Sequence, residues 1–501
     1  MSPRSDLVVG VDVATQEVRA LVCDPEGHVL ASGQEALPAP SRSEPGRSEQ
    51  DASTWWPAVA SALRGATGEL ERAERDRIVA MAVSATSGTV VLVDDQGEPL
   101  GPALMYDDQR ASDEAEAAQE AGRSRWESLG LRVSASFGLP KLAWLLARSD
   151  EAGRAIRVCH VPDLLLAHLT GEPAPTDTSH ALKSGYDPLR GEWAGEALDA
   201  LDVPVRLLPE VLPPTAPAGE VSPEAASETG LPAGCQVRLG MTDSCASQVA
   251  AGADQPGRFV SVLGTTLALK GATSDLVRDP TGAVYSHRHP DGWWLPGGAS
   301  NTGGSALQEG FGDDDLAELD RQALDHGPAG FVCYPLVGTG ERFPFVHAEA
   351  EGFSVGSPSS RVDAYRATME GVAFVERLAY AHLAGLGAGV VPPVAAAGAA
   401  SRSRAWNRVR ATALGLPLVV PERAETSFGA CVLAAAGTVH DTLADAGRAM
   451  VRTEDEVEPV EEEADRLQDG YQRFVAALEE RGWLPEGLAE AALVDLEGGE
   501  G

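Results

Sequence analysis

Residues 7–24 read Leu-Val-Val-Gly-Val-Asp-Val-Ala-Thr-Gln-Glu-Val-Arg-Ala-Leu-Val-Cys-Asp: two apolar runs separated by a short polar turn. The first run ends at Asp12, the second occupies residues 18–23, and Asp24-Pro25-Glu26-Gly27 closes it, so the stretch predicts an antiparallel strand pair. Near the middle of the chain the pattern returns as Arg258-Phe259-Val260-Ser261-Val262-Leu263, then Gly264-Thr265-Thr266, then residues 267–270. This repetition predicts two halves, each opening on a hairpin. Helical periodicity appears over residues 55–63 and again over 361–384, where Tyr365, Met369, Val372, Val375 and Ala379 share one face. Strands alternating with helices predict the α/β class. Residues 204–234, rich in Pro, Ala and Glu, predict a surface meander, with the boundary between halves near 252–257. The acidic tail after Glu454 predicts one solvated helix over 465–481 and a loose end.

Composition narrows the function classes. The 501 residues carry 75 acidic and 39 basic side chains, a net charge of −36, which opposes binding to nucleic acid or anionic lipid. Lysine occurs only at 141, 183 and 270, so arginine supplies nearly all positive charge. The six cysteines, at 23, 159, 235, 245, 333 and 431, are widely spaced without a C-x-x-C pair, which predicts neither a disulfide framework nor a zinc site and suits a reducing cytoplasm. Residues 1–6 are charged and lead directly into the first strand without the features of a signal peptide, and no apolar run approaches the roughly 18 residues of a membrane span.

Asp12 closes an apolar strand and Thr15 follows in the turn, a layout that can bring a carboxylate, a hydroxyl and backbone N–H groups to a phosphate. A D-x-x-T alone equally suits a turn-forming aspartate. Gly264-Thr265-Thr266 stands in the equivalent turn of the second half, where it reads either as an ordinary hairpin turn or as the partner of the first in a polyphosphate clamp. Asp243 lies between a strand-like run and the helix-like residues 244–252; it reads as an N-cap or as a base for a hydroxyl proton in a cleft between the halves. A P-loop is excluded, since no lysine follows a glycine, and Gly385-Leu386-Gly387-Ala388-Gly389 follows a helix and reads as its C-terminal cap. His287 and His289 share a face of one expected strand without further ligands at metal spacing, and no serine sits in G-x-S-x-G.

The order of these pieces resembles the FGGY family of carbohydrate kinases from about residue 7 to about residue 440. The resemblance rests on residues 10–15, Gly46-Arg47-Ser48-Glu49-Gln50-Asp51 with Trp55-Trp56, Asp108-Gln109-Arg110, Leu169-Thr170-Gly171, Asp243, residues 263–266 and residues 403–406. Residues 104–108, 181–187, 297–304 and 340–344 are similar to the D-ribulokinase branch of that family, once labelled xylulokinase. The resemblance implies two actin-like ATPase domains, ribonuclease H-like in fold, flanking a catalytic cleft. It divides the chain into a sugar-binding domain at 1–252, a nucleotide-binding domain at 253–440 and a helical acidic extension at 441–501.

The activity implied is ATP-dependent phosphorylation of a ketopentose at its terminal hydroxyl, with Mg2+. D-Ribulose is the first expectation and D-xylulose the alternative; a degenerate homologue that binds sugar or ATP as a regulator is a further one. By the same resemblance Asp243 is the general base, and Asp12, Ser87 and Asp108 contact the sugar, Asp12 also serving the metal. Thr15, Gln16, Gly264, Thr265, Thr266, Gly304, Gly398, Ser401 and Ser403 are implied for the nucleotide. A sugar is the implied partner, without nucleic acid or membrane, and the oligomeric state stays open. Ala14, Ala399 and Ala400 stand where the family has glycine and Glu17 where it has serine, so strained turns and a misplaced charge are expected if those alanines need positive φ.

Overall fold

A computed structural model describes residues 6–148, 152–494 and 496; the N-terminal residues 1–5 lie outside the described residues. The chain gathers into two compact units. The first takes residues up to Ala250 together with 287–292 and Arg423–Val451, and the second takes 251–286, 293–422 and the residues from Arg452 onward. This differs from the expected contiguous division at 252 and 440. The segment 423–451 contains an apolar helix that completes the first unit's core, a long-range choice that no local pattern carries.

In the first unit the expected hairpin forms from β1 (Leu7–Val13) and β2 (Glu17–Cys23), paired antiparallel from Val8↔Cys23 to Val13↔Val18. With β3 (Val29–Ala36), β4 (Ile78–Ala85), β5 (Pro217–Glu220) and β6 (Gln236–Arg238) they form one sheet of order β5-β6-β4-β1-β2-β3, in which β4 runs parallel to β1. Every residue of β1 is buried, because helices cover both faces of the sheet. Val9, Val11 and Val13 point into a cluster with Trp55, Leu63 and Leu165 from the Trp55–Gly68 and Val161–Thr170 helices. Alternation sends Val8, Gly10 and Asp12 to the other face. There Gly10 admits the Thr426–Ala435 helix so closely that a Cβ would stand 2.1 Å from the Ser427 carbonyl oxygen.

The second unit repeats the plan with β7 (Phe259–Leu263) and β8 (Leu267–Gly271), antiparallel from Phe259↔Gly271 to Leu263↔Leu267. Next to them β9 (Trp294–Ala299), β10 (Val394–Ala397), β11 (Leu418–Pro421) and β12 (Thr453–Val457) follow in the order β9-β8-β7-β10-β11-β12, with β10 parallel to β7. The periodic helix spans Arg361–Gly385, but it is buried on nearly every side rather than on one face. One of its polar positions pairs inside: Arg410 donates through Nε and Nη2 to the two carboxylate oxygens of Glu376 at 2.7 and 2.9 Å, in a fully buried pair.

Two further expectations are corrected. The helix of the acidic tail is not a solvated one: in Glu461–Glu480, Leu467, Tyr471, Phe474 and Leu478 enter the second unit's core, and Glu463 pairs with Arg366 and Arg408, while the expected loose end at 497–501 lies outside the described residues. The 204–234 stretch is only partly irregular, since Ser222 caps a helix at Pro223–Thr229 and β5 joins the sheet edge. All six cysteines are buried and free, and among the described residues no helix is long and apolar enough to cross a membrane.

Candidate active site

The candidate residues fall into two groups, one in each unit. In the first, Asp12 sits at the end of β1, buried, opposite Arg19 across β2 and Ser84 across β4. Burial pushes its carboxyl up to about 7, and the charge of Asp243 pushes the same way, while Arg19 opposes them. Glu17, which replaces the family's serine, is paired with Arg19, so its charge is partly cancelled. Thr15 and Gln16 occupy the turn as expected. Its carbonyls are tied down from outside: Gln50 Nε2 donates to Thr15 O at 2.9 Å, Leu37 N donates to Gln16 O at 2.9 Å, and Trp55 Nε1 holds Gln50 Oε1 at 2.8 Å. The Gly46–Asp51 motif therefore acts here by fixing the turn.

Asp243 is the first residue of the Asp243–Ala250 helix rather than its N-cap. Thr242 holds the cap position, its carbonyl accepting from Cys245 N and Ala246 N at 2.9 Å each. The N-cap reading of Asp243 is thus corrected: a carboxylate at this position suits the positive end of the helix without being required to cap it. Two helices hold it in place. Gly429 of the Thr426–Ala435 helix lies so close to Ala246 that a Cβ would stand 1.9 Å from its carbonyl oxygen, and Thr426 meets Ser247 Oγ at 2.9 Å. Behind the turn, Ser179 Oγ accepts from Thr242 N at 2.9 Å, and Asp177 holds both Ser179 and His180.

Ser87 follows β4 in the Thr86–Thr89 turn, and its buried hydroxyl makes no hydrogen bond among the described residues. The same holds for the hydroxyls of Ser84, beside Asp12 in the sheet, and Thr242, bridged to Ala85. Asp108 departs from its expected role. It is fully buried, its carboxylate accepting from Ser48 N at 2.7 Å and pairing with Arg110 at 2.9 Å, so it organises a loop instead of facing a ligand. Sequence reasoning missed Lys141, whose buried ammonium donates to the carbonyls of Gly88, Met105 and Ser136 at 3.0, 2.6 and 2.9 Å and thereby joins the Ser87 and Asp108 loops. Burial pushes its pKa down to about 7. Its rarity in an arginine-rich chain was the available signal.

In the second unit the turn Gly264-Thr265-Thr266 lies against residues 300–305. Gly304 N donates to Gly264 O at 2.8 Å, Ser305 N to Thr265 O at 3.1 Å and Leu267 N to Thr302 O at 2.9 Å. A Cβ at Gly304 would stand 2.5 Å from Gly264 O, so the approach requires glycine. Gly264, Thr265, Gly304 and Ser403 line one cavity of about 760 Å³ with Ala399, Ala400, Asp320, Tyr365 and Trp406. Thr266, Gly398 and Ser401 do not line it. Thr266 O closes the turn on Gly264 N, and the Ser401 hydroxyl donates back to Gly398 O at 2.7 Å. Gly398, at φ 88° with Leu263 O only 2.5 Å from its missing Cβ, is the one position in its loop that needs glycine.

Ser403 caps the Arg404–Leu414 helix by accepting from Trp406 N at 3.1 Å and donates to Asp320 at 2.6 Å, while Tyr365 donates to the other Asp320 oxygen at 2.7 Å. Asp320 was not singled out by sequence, because a helix-surface aspartate carries no local mark. Ala14, Ala399 and Ala400 all have negative φ; Asp202 is the only non-glycine with positive φ among the described residues. The expected strain at the three alanines is therefore absent. Nor does any cluster of three or more His, Cys, Asp or Glu among the described residues form a cage for a metal.

Comparison with known proteins agrees across nearly the whole chain. The profile of the N-terminal domain of the FGGY family of carbohydrate kinases matches residues 7–250, and that of its C-terminal domain matches residues 259–438. A xylulose kinase of Streptomyces coelicolor is 32% identical over 443 residues, covering 86% of this chain and 87% of that protein. One of Streptomyces rubiginosus is 30% identical over 495 residues, covering 96% and 97%. The crystal structure of xylulose kinase from Rhodospirillum rubrum superposes with a TM-score of 0.85 at 27% identity, covering 95% of this chain and 99% of that one.

Proposed function

The chain belongs to the FGGY family of carbohydrate kinases, and from that premise we propose that it transfers the γ-phosphoryl group of ATP to the terminal hydroxyl of D-xylulose. The expectation of D-ribulose gives way here, because the two Streptomyces relatives, at 32% and 30% identity, are xylulose kinases. The regulator alternative rested on four replacements. It loses its motive with three alanines at ordinary φ and Glu17 paired with Arg19.

One observation carries the chemical reading: burial and the charge of Asp243 raise the Asp12 carboxyl, and the buried hydroxyls of Ser84, Ser87 and Thr242 have no hydrogen-bond partner among the described residues. Hydroxyls buried without partners suit a polyhydroxylated ligand. In this reading Asp243 takes the proton of the sugar hydroxyl as that oxygen bonds to the γ-phosphorus and the bond to the β-phosphate oxygen breaks. Within the first unit Thr15 and Gln16 carry donors that suit phosphate oxygens; within the second Thr265 and Thr266 do, while the Gly264 N–H is spent on Thr266 O and Gly264 serves by presenting no side chain. The cavity lined by Gly304 and Ser403 takes the nucleoside, while Gly398 and Ser401, outside its lining, fix the loop that carries Ala399 and Ala400.

Two carboxylates without a protein cage fit Mg2+, which binds through one or two carboxylates and completes its shell with water and substrate phosphates. Asp12 and Asp243 would hold it, and it would supply positive charge to the phosphates. A coupled assay of ADP release across D-xylulose, D-ribulose, glycerol and gluconate tests the proposal. The highest kcat/KM is expected for D-xylulose; a higher value for D-ribulose would restore the first expectation, and turnover with none of them would overturn both.

A further inference from the structure

Beneath the Gly264–Thr266 turn lies a buried carboxylate that the proposed chemistry does not use. Glu341 ends the strand Val332–Glu341 and is 3% exposed. Among the described residues no cationic side chain donates a hydrogen bond to it. Instead Oε1 accepts from Asn301 N at 2.7 Å and Arg342 N at 2.9 Å, and Oε2 accepts from Ser300 Oγ at 2.8 Å, Thr302 Oγ1 at 3.1 Å and Tyr334 OH at 2.8 Å. Three of these five donors belong to residues 300–302. The loop is thus held on one side by Glu341 and on the other by its backbone bonds to Gly264, Thr265 and Leu267.

We infer that Glu341 is a positioning residue for the nucleotide phosphates: it templates residues 300–304, and that loop sets the Gly264–Thr266 turn at the geometry in which its N–H and O–H groups meet phosphate oxygens. The inference rests on the proposed role of that turn. Its physical basis is the acceptor count. An ionised carboxylate has about four lone-pair sites and no donor, so it satisfies a ring of donors that no neutral side chain can match. An amide would turn an NH2 group toward either two or three donors and release the loop.

Three substitutions separate positioning from plain stabilisation. Glu341→Gln should raise the KM for ATP about tenfold or more, a loss equivalent to one or two charged hydrogen bonds, with the sugar KM within about twofold. Ser300→Ala removes one donor on the loop side and should raise the ATP KM severalfold, carrying the test if the glutamine variant is insoluble. Tyr334→Phe removes one donor that lies on the Val332–Glu341 strand, away from the loop; it should lower the melting temperature as much as Ser300→Ala while leaving the ATP KM within about twofold. ATP binding by calorimetry accompanies the kinetics. Unchanged ATP affinity in Glu341→Gln or Ser300→Ala, or equal KM effects of Ser300→Ala and Tyr334→Phe, would overturn the inference while the nucleotide role of the turn stands. No ATP binding by the unaltered protein would overturn that role, and the inference with it.

Discussion

Asp12→Asn should make the protein more stable and inactive at once, and the size of the gain should depend on pH. Asp12 is 5% exposed, and its carboxyl is raised from 3.8 to about 7 by burial and by the charge of Asp243. An ionised carboxylate in that position therefore costs the folded state about 4 kcal/mol relative to the unfolded chain. Because the folded-state pKa is the higher one, the folded protein binds the proton more tightly. The favourable protonated contribution is complete below pH 3.8 and is lost as pH rises through about 7.

Asparagine removes the charge but keeps a polar group whose desolvation costs roughly 1–3 kcal/mol, so the net gain at pH 8 is about 2 kcal/mol. Urea unfolding of both proteins, in chelator and at several values from pH 8 to pH 5, measures it. The variant should lead at pH 8, and its lead should shrink steadily as the pH falls below about 7. A difference that does not vary with pH, or a less stable variant at pH 8, would refute the reasoning. The same variant should lose sugar-dependent ADP release, since the carboxylate that destabilises the fold is the one assigned to metal and sugar.

Asp243→Asn should lower kcat by about 10²–10⁴-fold at saturating sugar and ATP, with a nearly unchanged melting temperature because Thr242 holds the cap position; a loss under tenfold would remove Asp243 from the role of base. Gly429→Ala adds a Cβ that would stand 1.9 Å from Ala246 O, so the Thr426–Ala435 helix must shift and stability should fall by about 1–3 kcal/mol. Denaturant midpoints check this, and a change under about 0.5 kcal/mol would show that the two helices are not in close contact.

What the linear chain carried was everything decided by near neighbours. Residues 7–24 and 258–270 form the expected hairpins, since apolar runs of strand length separated by turn residues leave little other way to pair backbone groups. Asp12, Thr15, Asp243 and Thr265 were readable as candidates because each lies at or within a few residues of the end of an apolar run, where a strand gives way to a turn or a helix. Long-range packing decided the rest. It buried Asp108 under Ser48 and Arg110, drew residues 423–451 into the first unit, and folded the acidic tail against the second unit's core. It also brought Lys141 to three carbonyls and Glu341 to five donors scattered from Ser300 to Arg342. A charged side chain is normally a surface residue, and its burial becomes possible only where distant segments converge to satisfy it; such convergence is a property of the tertiary fold and leaves no periodicity or spacing in the sequence.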